Sequence, residues 1–170
     1  MTLDKLMTRL SKGDKSTFES IYGQTRNTVY YIALSIVKER SLAEDVMQSA
    51  YLSVLKNAGS YRAGSNAKAW IARIARNEAL NLKRSRAHEE YMDETENLTL
   101  FGSEQTDDYG LLVDMARKML PSDELAVLLM AMSEGYKRRE IAEMLDMPVS
   151  TVTWKYNNAI NKMRQALRDR

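Results

Sequence analysis

One long amphipathic stretch, residues 67–87, limits the folds available to this chain more than any other segment. It contains no Gly or Pro, and its Ala, Leu and Arg content favours a helix of about 20 residues. The apolar side of its helical wheel carries Trp70, Ile71, Ile74, Ala75 and Leu82, and the other side carries Arg73, Arg76, Leu80, Lys83 and Arg84, with Asn77 at the boundary. Such a helix can bury one side in a core. Its basic side either binds a phosphate backbone or is simply solvated.

Helix-forming residues continue through most of the chain, which has only two Pro and seven Gly in 170 residues. We therefore predict an all-α protein. The absence of Cys excludes disulfides and thiolate metal sites, and is compatible with a reducing compartment. Because no apolar run approaches the length of a membrane span or forms a signal sequence, we expect a cytoplasmic protein without membrane insertion.

The sequence offers little to a catalytic site. His88 is the only histidine, which excludes a multi-histidine metal site and a nucleophile paired with a histidine. No glycine-rich phosphate loop is present, and the acids clustered at residues 89–108 lack the ordered alternation and central Gly of an EF-hand. We predict that the chain is not an enzyme and that it needs no metal or cofactor.

The net charge of +2 is distributed in three blocks. Residues 1–88 carry 15 Lys or Arg against 7 Asp or Glu, residues 89–108 carry 8 acids and no Lys or Arg, and residues 109–170 carry 10 cations against 8 acids. Helical periodicity is also lost from His88 to about Tyr109. We interpret residues 1–88 and 110–170 as two small helical domains, joined by a flexible acidic linker at residues 89–109.

The first domain is predicted to begin with a short helix at residues 3–10 and a longer one that places Phe18, Ile21, Tyr22 and Val29 in the core. A capping box, with Ser41 as the N-cap and Glu44 bonding back to it, predicts a third helix to about residue 57. The inner side of that helix carries Leu42, Val46, Ala50 and Val54, and the outer side carries Asp45, Gln48, Leu52 and Lys56. Leu52 is therefore an apolar residue among exposed polar ones. An isolated exposed Leu is common in soluble proteins.

The second domain has the pattern of a four-helix unit that contains a helix-turn-helix. Leu120-Pro121-Ser122 ends one helix and starts another, and a short helix at residues 137–145 is followed by a turn and a last helix at about residues 148–168. The predicted outer face of the last helix carries Ser150, Thr151, Thr153, Trp154, Asn157 and Asn158. Lys155 is the only cation near this face, so phosphate attraction by the last helix is expected to be weak.

Several segments together resemble a known family. In the first domain they are Ala43-Glu44-Asp45-Val46-Met47-Gln48 with Tyr51-Leu52, and Ala69-Trp70-Ile71 with Ile74-Ala75-Arg76-Asn77; in the second they are Leu120-Pro121, Gly135-Tyr136, Glu140-Ile141-Ala142, Leu145, Pro148 and Thr151-Val152. Their order and spacing resemble those of bacterial RNA polymerase sigma factors of the sigma-70 class, extracytoplasmic-function (ECF) type. The likeness covers nearly the whole chain.

The resemblance implies a sigma factor that directs core RNA polymerase to specific promoters and initiates transcription. It implies that Asp45, Gln48 and Leu52 bind the polymerase clamp helices, and that the chain also contacts the flap. It assigns binding of the melted minus-ten element to Tyr61, Arg62, Lys68, Arg73, Arg76, Asn77, Lys83 and Arg84. It assigns the minus-thirty-five element to Ser150, Thr151, Thr153, Trp154, Lys155, Asn157 and Asn158. By analogy with the family we also expect an anti-sigma protein partner.

The chain departs from the family pattern in the last helix. The residues after Thr151-Val152 are Thr153, Trp154, Lys155 and Tyr156, where the family has more basic residues. Earlier in the chain, Asn81 stands where an Asp is usual. Because no Arg is present on this face, we expect an A·T-rich minus-thirty-five element, read by Asn157 or Asn158 with Trp154 against a thymine methyl group. The alternative interpretations are a stand-alone helix-turn-helix regulator that acts without polymerase, and an adaptor protein whose basic faces are only solvated.

Overall fold

The computed structural model describes residues 1–92 and 108–170, with residues 90–92 described by their backbone alone. Within these ranges the chain forms α-helices and two short 3-10 turns, and no strand. The helices are α1 (Leu3–Ser11), α2 (Phe18–Val37), α3 (Arg40–Asn57), α4 (Ala67–Met92), α5 (Asp108–Met119), α6 (Ser122–Ser133), α7 (Arg138–Leu145) and α8 (Val149–Arg168). The all-α prediction is confirmed. None of these helices is both long and apolar enough to cross a membrane.

The first domain consists of α1 to α4, with α2 packed against both α3 and α4. Its core contains the fully buried side chains of Met7, Ile21, Val29, Ile32, Val46, Val54 and Ile71. Burial of aliphatic groups of this kind contributes roughly 1.5–3 kcal/mol for each side chain. The predicted inner face of α3 is confirmed at Val46, Ala50 and Val54, which are buried.

The predicted start of α3 is wrong. The helix begins at Arg40, with Glu39 as the N-cap and no side-chain capping bond, so Ser41 lies inside the helix. The reason is a contact with the second domain: Lys38 adopts a left-handed backbone conformation with φ of 66°, and Arg117 Nη1 donates a 2.7 Å hydrogen bond to its carbonyl oxygen. That tertiary contact fixes the turn before α3, and it takes precedence over the local capping pattern.

The second domain consists of α5 to α8 around the buried helix α6. Leu125, Val127, Leu128, Leu129 and Met130 of α6 are all buried. Gly135, with φ of 65°, ends the α6 segment, and Asp146, with φ of 52°, makes the turn between α7 and α8. The short helix, tight turn and long helix confirm the predicted helix-turn-helix.

The predicted linker boundaries need correction at both ends. Helix α4 continues to Met92, beyond the predicted domain end at residue 88, because no Gly or Pro interrupts residues 88–92. Helix α5 already begins at Asp108. The remaining part of the predicted acidic linker, residues 93–107, lies outside the described residues.

The two domains contact each other through α2 with α6 and through α4 with α7. The Tyr136 hydroxyl lies 2.7 Å from the Thr28 hydroxyl, and Asp114 accepts hydrogen bonds from Arg40 Nη2 at 3.2 Å and Arg117 Nε at 2.9 Å. Helical periodicity could not predict this interface, since the contacts that cross it, Tyr136 with Thr28 and Arg40 with Asp114, join residues far apart in the chain.

Candidate functional site

An open groove between α2 and α3 carries the predicted polymerase-binding residues. Asp45, Gln48 and Leu52 are all exposed on α3, and Leu52 has 67% of its surface accessible. Gln48 and Leu52 line the groove itself, together with Phe18, Tyr22, Arg26, Asn27 and Tyr30 of α2 and Glu44, Met47, Tyr51 and Leu55 of α3. The exposed Leu52 is therefore part of a larger partly apolar surface.

The floor of this groove is aromatic and fixed in position. The buried Tyr51 packs edge-on against Phe18, with ring centroids 5.9 Å apart, and its hydroxyl lies 2.8 Å from that of Thr25. Burial raises the pKa of Tyr51 to about 12. Exposed Tyr22 and Leu55 stand at the rim beside Leu52. A rigid apolar centre with a polar rim is typical of surfaces that bind another protein.

Sequence reasoning missed the α2 half of the groove. Tyr22 lies seven residues before the buried Val29, a spacing that predicts a core position, but it is 37% exposed. It stacks at a tilt on Tyr51, with centroids 4.9 Å apart. The signal for this face was the row Phe18, Tyr22, Arg26 at i, i+4 and i+8, which lies beside the apolar stripe.

The basic face of α4 has the predicted orientation. Ile71, Ala72, Ala75 and Ala79 are buried, whereas Arg73, Asn77, Lys83 and Arg84 are exposed. Trp70 and Leu82 are half-buried against the core. The exposed cations therefore give α4 a positively charged face suited to a phosphate backbone.

Two of the predicted minus-ten residues contact the second domain instead of solvent. The half-buried Arg76 donates a hydrogen bond from Nη1 to the carbonyl oxygen of Leu145 at 3.0 Å. The Nζ atom of Lys68 lies 4.7 Å from the centroid of the Tyr136 ring, within cation–π range. In this arrangement α7 covers part of the basic face of α4.

The loop of residues 61–66, just before α4, exposes Arg62 but buries Tyr61. The Tyr61 ring is 5% exposed and packs edge-on against Trp70. Its hydroxyl donates to Asp4 Oδ1 at 2.5 Å, and burial, followed by this hydrogen bond, raises the pKa of Tyr61 to about 12. Tyr61 therefore supports the loop from inside, and the Arg62 side chain is exposed on its surface.

Helix α8 exposes Ser150, Trp154 and Asn157, with Trp154 60% exposed. Thr151, Thr153 and Lys155 are half-buried. Thr153 donates its hydroxyl hydrogen to the Val149 carbonyl at 3.0 Å, and Lys155 faces Asp123 at 3.6 Å. Of the residues predicted to read DNA on α8, Trp154 and Asn157 are thus the large side chains that are exposed.

The outward position predicted for Asn158 is wrong. Asn158 is half-buried and donates from Nδ2 to Glu124 Oε1 at 3.2 Å. Glu124 lies on α6 with 4% exposure, and Lys162 also bonds to it at 2.9 Å. A buried carboxylate needs such partners, so Asn158 is held toward the core of its own domain.

A cation beside α8 was missed by sequence reasoning, which found only Lys155 nearby. The guanidinium carbon of Arg138, at the start of α7, lies 4.7 Å from the centroid of the Tyr156 ring on α8. Lys137, Arg138 and Arg139 are all exposed. The signal was this run of three cations, which the turn of the motif brings next to the last helix.

These features define a class of protein: a helical domain with a partly apolar groove and a basic face, attached to a helix-turn-helix domain. Family comparison agrees with this class domain by domain. The model of Sigma-70 region 2 matches residues 21–89, and that of Sigma-70 region 4 matches residues 111–163. The chain belongs to the sigma-70 family of RNA polymerase sigma factors, ECF type. It is a sigma factor, a protein that directs RNA polymerase to promoters, and not a stand-alone regulator.

Similar proteins extend over the full length of the chain. The ECF RNA polymerase sigma factor SigW of Bacillus subtilis is 24% identical, covering 99% of this chain and 98% of its own. RNA polymerase sigma factor CarQ of Myxococcus xanthus is 25% identical, covering 95% of each. Both relatives are named as RNA polymerase sigma factors, and each matches this chain over nearly its whole length.

Two solved structures share the fold. CnrH, in complex with the cytosolic domain of CnrY, has a TM-score of 0.73 and 17% identity, covering 98% of this chain and 97% of its own. The sigma factor RpoE of Bartonella quintana, in complex with the anti-sigma factor NepR, has a TM-score of 0.68 and 21% identity, covering 89% of this chain and 96% of its own. Both domains of the fold are therefore found in known sigma factors.

Proposed function

We propose that this sigma factor docks on core RNA polymerase through the groove between α2 and α3. The observation that carries the proposal is Leu52, which is 67% exposed at the edge of an aromatic-floored groove. Asp45 and Gln48 provide polar groups beside it that fix the orientation of a bound helix. The polymerase performs the chemistry, the chain itself is not an enzyme, and it acts in the cytoplasm with the polymerase.

The second part of the proposal concerns the minus-ten element. Arg62 of the loop and the exposed Arg73, Asn77, Lys83 and Arg84 of α4 form the surface for the melted strand. The cations neutralise phosphates along the strand. The polar loop provides a binding site for a base that has been removed from its stack. Arg76 and Lys68 become part of this surface when their contacts with Leu145 and Tyr136 break. Binding at the minus-ten element therefore requires α7 to move away from α4.

The third part concerns the upstream duplex. Trp154 and Asn157 of α8 enter the major groove at the minus-thirty-five element, while Arg138 of α7 lies close enough to contact the DNA backbone. Asn reads adenine through two hydrogen bonds, and an apolar ring contacts the thymine methyl group. An A·T-rich element follows from this set of side chains. Asn158 contributes indirectly by holding α8 against α6.

A protein inhibitor is the fourth part. The solved relatives CnrH and RpoE were each determined in complex with a second protein, which for RpoE is named as an anti-sigma factor. This chain also exposes Leu52 and Trp154 on the two surfaces assigned to polymerase and DNA. A partner that covers the Leu52 groove would block docking on the polymerase. Its presence is tested by purification of the chain from its native host under several growth conditions.

The test of the docking proposal is binding to purified core polymerase. Asp45→Arg places a cation in the exposed rim and is expected to abolish binding, while the helical content and melting temperature stay unchanged. Glu39→Arg is the matched control, because Glu39 is an exposed acid at the N-cap of the same helix and does not line the groove. Equal losses with both variants, or loss of folding with Asp45→Arg, would contradict the proposal.

A further inference from the structure

One carboxylate oxygen in α1 binds the loop of residues 61–66 at two points. Asp4 Oδ1 accepts the hydroxyl hydrogen of Tyr61 at 2.5 Å and the backbone N–H of Gly64 at 2.8 Å. The two donors lie 57 and 60 residues away in sequence. The matched region of the family model begins at residue 21, so Asp4 and α1 lie outside it.

The two ends of the loop have further contacts: Tyr61 packs on Trp70, and the Asn66 side chain accepts from Ala69 N at 3.0 Å and donates to Glu143 Oε2. Residues 62–66 are all exposed. Inside the loop, Ser65 donates from its backbone N at 3.1 Å and its hydroxyl at 2.7 Å to the Arg62 carbonyl. Gly64 adopts φ of 80°, in the left-handed region that favours glycine. Residues 62–65, between the two ends, bury little apolar surface, and such a segment is easily opened unless a neighbour fixes it.

Asp4 itself is held in a fixed position. It lies in the first turn of α1, whose Leu3, Leu6, Met7 and Leu10 are buried in the domain core. Thr2 caps the helix by accepting a hydrogen bond from Lys5 N at 3.4 Å. The carboxylate is therefore presented by a packed helix rather than by a mobile terminus.

The sign of the charge indicates what Asp4 does. A carboxylate beside Arg62 weakens the attraction of this surface for phosphate, so it is not a phosphate-binding group. Hydrogen bonding by Tyr61, followed by that of Gly64, holds the pKa of Asp4 below its usual value of 3.8. The group is charged at neutral pH, and both hydrogen bonds are present under those conditions.

We propose that Asp4 is a positioning residue that fixes the loop of residues 61–66 in the shape that receives a base of the minus-ten element. The loop contacts the base, and Asp4 acts through Tyr61 and Gly64. This inference rests on the proposed role of the loop in capturing the melted strand.

The test compares four single variants of the full chain and the double variant of Asp4→Ala with Tyr61→Phe. Asp4→Ala removes both hydrogen bonds, and Tyr61→Phe removes one while keeping the packed ring. Asp4→Asn keeps an acceptor oxygen but removes the charge. Asp14→Ala is the matched control, because Asp14 is another N-terminal acid whose bonds, to Arg9 and Ser16, stay within its own segment.

The first measurement is the rate at which trypsin cleaves after Arg62 in the chain without DNA or polymerase. Cleavage is expected to be about tenfold faster in Asp4→Ala, because two hydrogen bonds to the loop are lost. Asp4→Asn and Asp14→Ala are expected to stay close to wild type. The effects of Asp4→Ala and Tyr61→Phe are expected to be less than additive in the double variant, since they share one bond.

The second measurement uses the reconstituted holoenzyme and a promoter with a fluorescent base analogue in the minus-ten element. Asp4→Ala is expected to lower capture of that base about tenfold, with unchanged affinity for core polymerase and for the upstream duplex. Wild-type cleavage and capture in Asp4→Ala would overturn the proposal. So would a loss of melting temperature and polymerase affinity as large as the loss of capture, since that would show only a structural role.

Failure of the proposed function would give a different experimental result from failure of the role proposed for Asp4. If the wild-type holoenzyme captures no minus-ten base, the role assigned to the loop is wrong, and with it the functional half of this proposal. The trypsin measurement still decides whether Asp4 orders the loop.

Discussion

Arg76 of α4 donates a hydrogen bond from Nη1 to the backbone oxygen of Leu145, 3.0 Å away at the end of α7. This bond joins the basic face of the first domain to the helix-turn-helix of the second. Asn66 Nδ2, at the start of α4, similarly donates to Glu143 Oε2 of α7 at 2.5 Å. Part of the surface proposed for the minus-ten element is thus engaged by the same chain.

We predict that loosening this interface increases binding of single-stranded minus-ten DNA by the isolated chain. Tyr136→Ala removes the ring under Lys68 and the hydrogen bond with Thr28. Affinity measured by fluorescence anisotropy is expected to rise several-fold. Leu167→Ala, which removes an exposed apolar side chain near the C-terminal end of α8, is the control. Unchanged or weaker binding by Tyr136→Ala would show that the closed arrangement does not limit access.

A second prediction concerns the effect of low pH on the contact between the two domains. Burial opposes ionisation of Asp114, but the hydrogen bond from Arg117 and the charges of Arg40 and Arg117 outweigh it and hold the Asp114 pKa below its usual value of 3.8. Arg117 lies on the same helix as Asp114, so only the part of this lowering that comes from Arg40 depends on the closed arrangement. That part stabilises the closed state above the usual pKa. This contribution is lost as the pH falls through the lowered value. Interdomain distance, followed by energy transfer between two dyes, should therefore increase below about pH 4.

The variant Asp114→Asn tests the assignment of that acid effect. It removes the titrating group between Arg40 and Arg117 while keeping an acceptor oxygen. The domains are expected to be farther apart at neutral pH, and the acid-dependent part of the change is expected to be smaller than in wild type. An identical pH profile in wild type and Asp114→Asn would assign the transition to other groups.

A third prediction separates two neighbouring asparagines of α8. Asn157→Ala should relax one position of the minus-thirty-five element, at about 1–3 kcal/mol for a two-bond contact with adenine. Asn158→Ala should instead lower the free energy of unfolding by about 1 kcal/mol, because Glu124 then keeps only Lys162. Promoter selection from a random library and thermal melting measure the two effects. A G·C-rich consensus that survives Asn157→Ala and Trp154→Ala would contradict the assignment.

A fourth prediction concerns the backbone contact of Arg138. Its guanidinium packs on Tyr156 and is exposed at the side of α8. Arg138→Ala should weaken upstream binding uniformly across sequences and reduce the slope of log affinity against log salt by about 1. Arg164→Ala, at an exposed cation in the C-terminal half of α8, is the control and should keep the wild-type slope. Equal slopes in all three proteins would place Arg138 away from DNA.

The parts of the fold that sequence predicted well depend on local periodicity. The two sides of α4 appear as expected at Ile71 and Arg73, because a helix with a clear apolar stripe has only one way to face a core. The turn at Asp146 and the exposure of Trp154 follow from the same kind of pattern. Sigma-70 membership was likewise predicted from short segments in order, and family comparison confirms it.

The features that the sequence did not predict depend on contacts between residues far apart in the chain. Ser41 lost its capping role because Lys38 and Arg117, 79 residues apart, fix the preceding turn. The Asn158 side chain bonds to the Glu124 carboxylate, 34 residues away, and the Tyr61 hydroxyl bonds to Asp4, 57 residues away. Helical periodicity carries no information on such pairs. The residue-level assignments to polymerase and DNA remain predictions for the experiments above.

The central claim is tested most directly by promoter-specific transcription with purified components. Core polymerase is supplied with the wild-type chain, Asp45→Arg or Glu39→Arg on promoters selected by the wild-type holoenzyme, and transcripts are counted in a single round. Wild type and Glu39→Arg should give a transcript from the promoter start, and Asp45→Arg or core polymerase alone should give none. Full transcription with Asp45→Arg, or no binding of core polymerase by the wild-type chain, would contradict docking through the α2–α3 groove.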